Sequence, residues 1–343
     1  MANSEIIRQK VLARLNNLTK PIGSLGYLEE IALKMALIQG KELPELPRNK
    51  KVYIFAGDHG VVTQGVSAYP RDVTYQMVFN FLSGGAAVNV FARHVGAEVF
   101  VVDAGVDYEF GDSPYLIKAK IGFGTNDFSI GPAMSMEEAR MCIDYGREIA
   151  SQAIDAGADL LAIGDMGIGN TTTATAIAVS FGYAIDDVLD IGTPIDDVAL
   201  QNKRRVILKA MEINRPDKTD ALDILAKVGG YCIGQMAGFI LEAANSRVPV
   251  VVDGFPTTCA LLIAYNMDKN VLDYVFAGHK SSVKGHSVIL NSLGLRPILD
   301  LDMRLGEGTG AVLAMNIIEA AVKMIREMAT FDSAGISRGS EQV

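Results

Sequence analysis

Glu307 sits in RLGEGTGA, residues 304–311, with glycine on either side and a long apolar run beyond it. A carboxylate so placed has two uses. At the N-terminus of the following helix it would complement the positive end of the helix dipole. In an apolar cavity lined by loops it would instead collect a proton as a general base, because burial moves a carboxyl pKa toward neutrality. The residue types alone leave these two readings balanced.

A second set of residues points to an anion. In GDMGIGNTTTATA, residues 164–176, an apolar run ends in glycines and a helical pattern begins. Gly167 and Gly169 permit close backbone approach, and Asn170, Thr171 and Thr172 place donors at a helix start, where a phosphate is favoured. No lysine follows the glycines and the GxGxxG spacing is unmatched, so neither a Walker A loop nor a dinucleotide fingerprint is present. A tight turn with a helix cap is the plainer alternative. Asp165 is either a turn residue or a second site carboxylate. AGHKSSVKGHS, residues 277–287, holds two His, two Lys and three Ser. It reads as a second phosphate contact or as a solvated loop capped at Ser281 or Ser282. His279 and His286 have no third ligand at metal spacing, so no metal is expected. In GDHGVVTQGVSAYPRDVT, residues 57–74, His59 is more often structural than catalytic. No GxSxG elbow or Cys/His/Asn pattern supports covalent hydrolysis.

The elements that must carry these loops are legible as runs. KVYIFAGDHG, AEVFVVDAGVD, ADLLAIGDMGIGN, VPVVVDGF and DYVFAGHKSS are continuous apolar segments that stop at Gly or Asp. Continuous rather than alternating hydrophobicity marks strands buried on both faces, as in a parallel sheet. Helical patterns lie between them, the clearest opening at Ser135 with Glu138 as a capping box. The pattern predicts a doubly wound, mostly parallel α/β fold with helices on both faces and ligands beyond the carboxyl ends of the strands. Residues 4–18 predict an amphipathic helix, KPIGSLGYLEEIALKMALIQ a turn and a second helix, and residues 309–328 a buried helix. A smaller helical domain is expected from residues 1–45 with 309–343, beside a Rossmann-like domain over 46–308. ELPELPRNK marks the passage, and the final segment from Phe331 is expected to be loosely held.

Composition narrows the function. Of 343 residues, 49% are hydrophobic and 21% charged, which suits a compact globular chain. A formal net charge of -9 argues against a general nucleic-acid or anionic-membrane surface, though not against a local basic pocket. No apolar run reaches membrane-spanning length and the N-terminal residues do not read as a signal peptide. Three widely spaced cysteines without CxxC fit a reducing compartment, so a cytoplasmic location is expected.

KPIGSLGYLE, GDHG, GVSAYPRDVT, GDMGIGNTT, KVGGYCIGQMAG, VVDGFPTTCA and MRLGEGTGA follow one another from end to end. As an ordered set they resemble the nicotinate-nucleotide–dimethylbenzimidazole phosphoribosyltransferase family. The resemblance implies transfer of phosphoribose from nicotinate mononucleotide to 5,6-dimethylbenzimidazole, giving α-ribazole phosphate for the lower ligand of cobalamin with inversion at C1′. It implies Glu307 as the base and Asp165 as a second carboxylate near the bases. Gly167, Gly169, Asn170, Thr171 and Thr172 match the family's phosphate loop, with Gly192, Lys203 and Ser281 beside it. Tyr69, Met77 and Leu305 would form the acceptor-base pocket. No cofactor is implied, and no metal either, since the leaving group is an aromatic acid rather than pyrophosphate. A homodimer is implied, with small-molecule substrates and neither nucleic acid nor membrane as partner. The alternatives are the same transfer to a different aromatic acceptor, or a nucleotide-binding regulatory protein without chemistry. An NAD-dependent oxidoreductase is disfavoured by the missing fingerprint.

Overall fold

A computed structural model describes residues 2–190 and 197–337; Gly192 lies outside the described residues. Its centre is a parallel sheet of β1 (Lys50–Gly57), β2 (Ala97–Gly105), β3 (Leu116–Lys118), β4 (Leu160–Met166), β5 (Val250–Val252), β6 (Val275–His279) and β7 (Pro297–Leu299). The order is β3-β2-β1-β4-β5-β6-β7, and every neighbouring pair is parallel. The order reverses between β1 and β4, which is where an open α/β sheet makes its crevice.

The apolar runs become strands because both faces are covered. Along β1, Val52, Ile54 and Ala56 enter one core with the helices Tyr27–Gln39, Ala87–Val95 and Thr309–Glu327. Tyr53 and Phe55 enter the other, with the helices Met136–Asp155 and Tyr231–Asn245. A strand with apolar side chains pointing both ways therefore has a partner for each. The five expected strands are present. The edge strands β3 and β7 are additional: LIK and PIL are three residues each and only partly buried, too short to leave a run. Pro297 opens β7, a position that needs no ladder N–H.

The helix at Met136–Asp155 starts as its sequence requires. Ser135 Oγ accepts from Glu138 N at 3.1 Å, and the Glu138 carboxylate accepts from Ser135 N at 2.7 Å. The first and last long helices meet. Arg14 donates to the carbonyls of Ile325 and Arg326 at 2.6 and 3.2 Å, and Leu18 bridges to Thr330. Met315, Ile318 and Val322 of the helix Thr309–Glu327 share their core with Ile54 and Val251, so this helix lies over the sheet. Phe331–Ala334 is a short helix with its Thr330 cap satisfied by Ser333. Cys142, Cys232 and Cys259 are all buried, and burial pushes each thiol up. Among the described residues no helix is long and apolar enough to cross a membrane.

Candidate active site

The loops that follow β1, β4, β5, β6 and β7 enclose a cleft of about 410 Å³ at the carboxyl edge of the sheet. Glu307, Asp165, Gly167, Gly169, Asn170, Thr171, Ser281, Tyr69, Met77 and Leu305 all line it.

Glu307 is delivered by an unusual turn. Gly306, Glu307 and Gly308 have φ of 83°, 63° and 88°, three left-handed residues in succession. Only glycine takes that conformation freely, so Glu307 is held there against a steric cost. The turn lies flat on β4. A Cβ at Gly164 would come 2.4 Å from the Glu307 carbonyl carbon and 2.5 Å from Gly308 N, which excludes any larger residue.

The helix Thr309–Glu327 does not use Glu307 as its cap. Its first amides are taken by Asp253, at the end of β5, which accepts from Gly308 N at 3.0 Å, Gly310 N at 2.8 Å and Ala311 N at 3.0 Å. Burial works against the Asp253 charge, yet the neighbouring His279 and these amides hold its pKa below the usual carboxylate range. The Glu307 side chain, by contrast, has no hydrogen-bond partner among the described residues, while the residue is 8% exposed. Burial first, and the Asp253 charge second, push its pKa up to about 7. A carboxylate balanced between its two forms near neutrality is built to exchange a proton.

Opposite lies the glycine loop. Gly169, at φ 92°, ends the turn and precedes the helix Asn170–Ser180. A Cβ at Gly167 would meet Gly57 O at 2.2 Å, so the loop is pressed onto β1. Asn170 Nδ2 donates to Asp165 Oδ2 at 2.7 Å. Asp165 is 5% exposed and its Oδ1 has no hydrogen-bond partner among the described residues. Burial raises its pKa to about 6, offset by hydrogen bonds from Cys232 and Asn170 and reinforced by Asp253. Lys203, on the helix Asp197–Asn214, is buried behind the loop rather than in the cleft. Its Nζ donates to Thr171 Oγ1 and to Asp190 O, each at 3.0 Å, and burial lowers its pKa to about 8. Thr172 is fully buried and does not line the cleft.

Two histidines are structural. His59 Nδ1 lies 3.0 Å from Thr173 Oγ1, its Nε2 3.7 Å from Cys232 Sγ, and burial lowers its pKa to about 4. His286 accepts from Ser281 N at 3.0 Å and faces Thr258 Oγ1 at 2.9 Å, so it shapes the loop that carries Ser281. At the mouth, Tyr69 and Leu305 are 50% and 57% exposed, and Met77 comes from the helix Val73–Leu82.

Sequence reasoning did not single out Asp253, and it weighed His279 only as a metal ligand within the loop 277–287. Both end an apolar strand run, VVVD and VFAGH, and that terminal position is the signal that points to them.

A parallel sheet whose cleft holds a glycine loop at a helix N-terminus together with a shielded carboxylate suits group transfer on a phosphorylated ligand. A phosphoribosyltransferase family model matches residues 2–336. Nicotinate-nucleotide–dimethylbenzimidazole phosphoribosyltransferase from Geobacter sulfurreducens is 53% identical over 95% of this chain and 93% of its own. Its counterpart from Chloroflexus aggregans is 52% identical over 96% and 93%. The crystal structure of the Thermus thermophilus protein of that name superposes with a TM-score of 0.92 at 47% identity, covering 97% of this chain and 99% of that one. These matches define the class as phosphoribosyltransferase. The chain belongs to the nicotinate-nucleotide–dimethylbenzimidazole phosphoribosyltransferase family.

Proposed function

We propose that the protein transfers the 5-phosphoribosyl group of nicotinate mononucleotide to 5,6-dimethylbenzimidazole, with Glu307 as the general base. The observation that carries this reading is the Glu307 carboxylate itself: shielded, without a hydrogen-bond partner among the described residues, and poised near neutrality by burial and Asp253. One ring nitrogen of the acceptor attacks C1′ with its lone pair on the face opposite nicotinate. The C1′–N bonding pair leaves with nicotinate as a neutral pyridine nitrogen. The other ring nitrogen gives its proton to Glu307, so the product riboside carries no charge on the new base. Inversion at C1′ follows from attack opposite the leaving group.

The phosphate rests on the loop Gly167–Thr171 at the N-terminus of the helix Asn170–Ser180, with Ser281 across the cleft. Lys203 acts on it through Thr171, whose hydroxyl it orients. The flat acceptor lies by Tyr69, Met77 and Leu305 at the mouth. Asp165, its pKa raised to about 6 by burial, stands by the glycine loop as the second carboxylate. Two copies of the chain make the working enzyme, as the family resemblance implies.

Incubation with nicotinate mononucleotide and dimethylbenzimidazole tests the reading. Equimolar free nicotinate and an α-riboside, read by chromatography and NMR, are expected. No nicotinate release with any aromatic base would leave a binding protein in its place. A mixture of benzimidazoles, purines and phenols, analysed by mass spectrometry, identifies the preferred acceptor.

A further inference from the structure

His279 has no role in the transfer proposed above. His279 ends β6, is 1% exposed, and lines the cleft with neither ring nitrogen hydrogen-bonded among the described residues. A buried imidazole nitrogen left without a hydrogen bond is costly, and a group supplied by a bound ligand would relieve that cost.

The ring is held in place from two sides. A Cβ at Gly310 would lie 2.0 Å from His279 Nδ1 and 2.4 Å from its Cγ, so the imidazole rests directly on the first turn of the helix Thr309–Glu327. Nδ1 stands 3.4 Å from Asp253 Oδ1. With the Nδ1 hydrogen turned toward that carboxylate, the lone pair is left on Nε2. In that tautomer Nε2 is an acceptor that waits for a donor.

Its position restricts which donor. Ser281, two residues along the chain, borders the proposed phosphate end, and Glu307, three residues before Gly310, borders the base end. Ribose joins those ends in a mononucleotide. Phosphate and the nicotinate carboxylate only accept hydrogen bonds at neutral pH. The two ribose hydroxyls are the neutral donors that nicotinate mononucleotide offers to this stretch of the cleft.

We propose that His279 is a substrate-binding residue whose Nε2 accepts a hydrogen bond from one hydroxyl of the ribose 2′,3′-diol, fixing the sugar as C1′ inverts. The inference rests on the phosphoribosyl-transfer reading. Asp253 is the positioning residue: the carboxylate that holds the Glu307 turn also orients the imidazole, so base and sugar are set by one anchor.

The test compares nicotinate mononucleotide with its 2′-deoxy and 3′-deoxy forms in the wild-type protein, His279→Phe and His279→Gln. Wild type is expected to lose about 10-fold or more in kcat/KM on one of the two deoxy substrates. His279→Phe should lose a similar factor on the full substrate and show no further loss on that same deoxy form. His279→Gln keeps an acceptor near the Nε2 position and should restore part of the discrimination, which covers the case in which phenylalanine disturbs folding. Two results overturn the assignment: wild type indifferent to both hydroxyls, or His279→Phe rejecting the deoxy forms as strongly as wild type. If wild type releases no nicotinate at all, the transfer reading fails instead. The same comparison, read by calorimetry as mononucleotide affinity, then decides His279 alone.

Discussion

The proposed transfer concentrates its chemistry in one residue, Glu307, and the environment of that residue makes the consequences specific. Glu307→Gln keeps shape and volume, so the variant should fold and bind nicotinate mononucleotide while turnover falls by about 10²–10⁴. Titration calorimetry and nicotinate release separate the two effects. In the wild type, kcat/KM should rise with pH through a limb near 7, because only the ionised carboxylate accepts a proton. Stability carries the opposite sign. The folded pKa is about 7 against an ordinary 4.5, so between those values the native state holds a proton that the unfolded chain has lost. Stability from this group therefore falls as pH rises across that window. Glu307→Gln should melt above wild type at pH 8, by about 1–3 kcal/mol, with no difference below pH 4. Lys203→Ala acts one step back: its loss should raise the KM for the mononucleotide more than it lowers kcat, since its amine orients Thr171. The sequence presented Glu307 plainly, as a charge between glycines. It left the choice between cap and base open, because the decisive partner, Asp253, is 54 residues away in the chain and meets the helix only in the fold.

At the scale of elements, the site depends on how tightly the turn 306–308 lies on β4. Gly164→Ala puts a methyl group where the Glu307 backbone now lies. The strand can keep its ladder, but the turn must lift. Activity is expected to drop at least tenfold, with a far-UV spectrum unchanged; near wild-type turnover would show that the base tolerates displacement. The strands were readable wherever both faces are buried, since a run such as KVYIFAG has no polar interruption. β3 and β7 were not, because an edge strand of three residues buries too little to imprint a pattern. The capping box at Ser135 was readable for a different reason: both of its partners lie within one turn. Asp253 illustrates the reverse, an N-terminal cap supplied by another strand, for which no local spacing exists.

For the whole molecule, the sheet is a wall with a separate core on each side, and the segments that cover it come from distant parts of the chain. The helix Thr309–Glu327 contacts both the sheet and the first helices, and so braces the carboxylate turn that precedes it. The sequence showed that the terminal segments are helical and apolar, while their meeting through Arg14, Ile325 and Arg326 is visible only in three dimensions. A net charge of -9 does not oppose the proposed phosphate site, because helix-end amides and glycine backbone act over a few ångströms whereas the surface charge is screened. The buried cysteines turn the same architecture into a clock. Cys142 and Cys259 lie deep in one core, and Cys232 sits behind the glycine loop beside His59. A thiol-reactive dye in native buffer can label them only as often as the surrounding structure opens. Saturating mononucleotide should slow the labelling of Cys232 more than that of Cys142, a difference that peptide mapping resolves site by site.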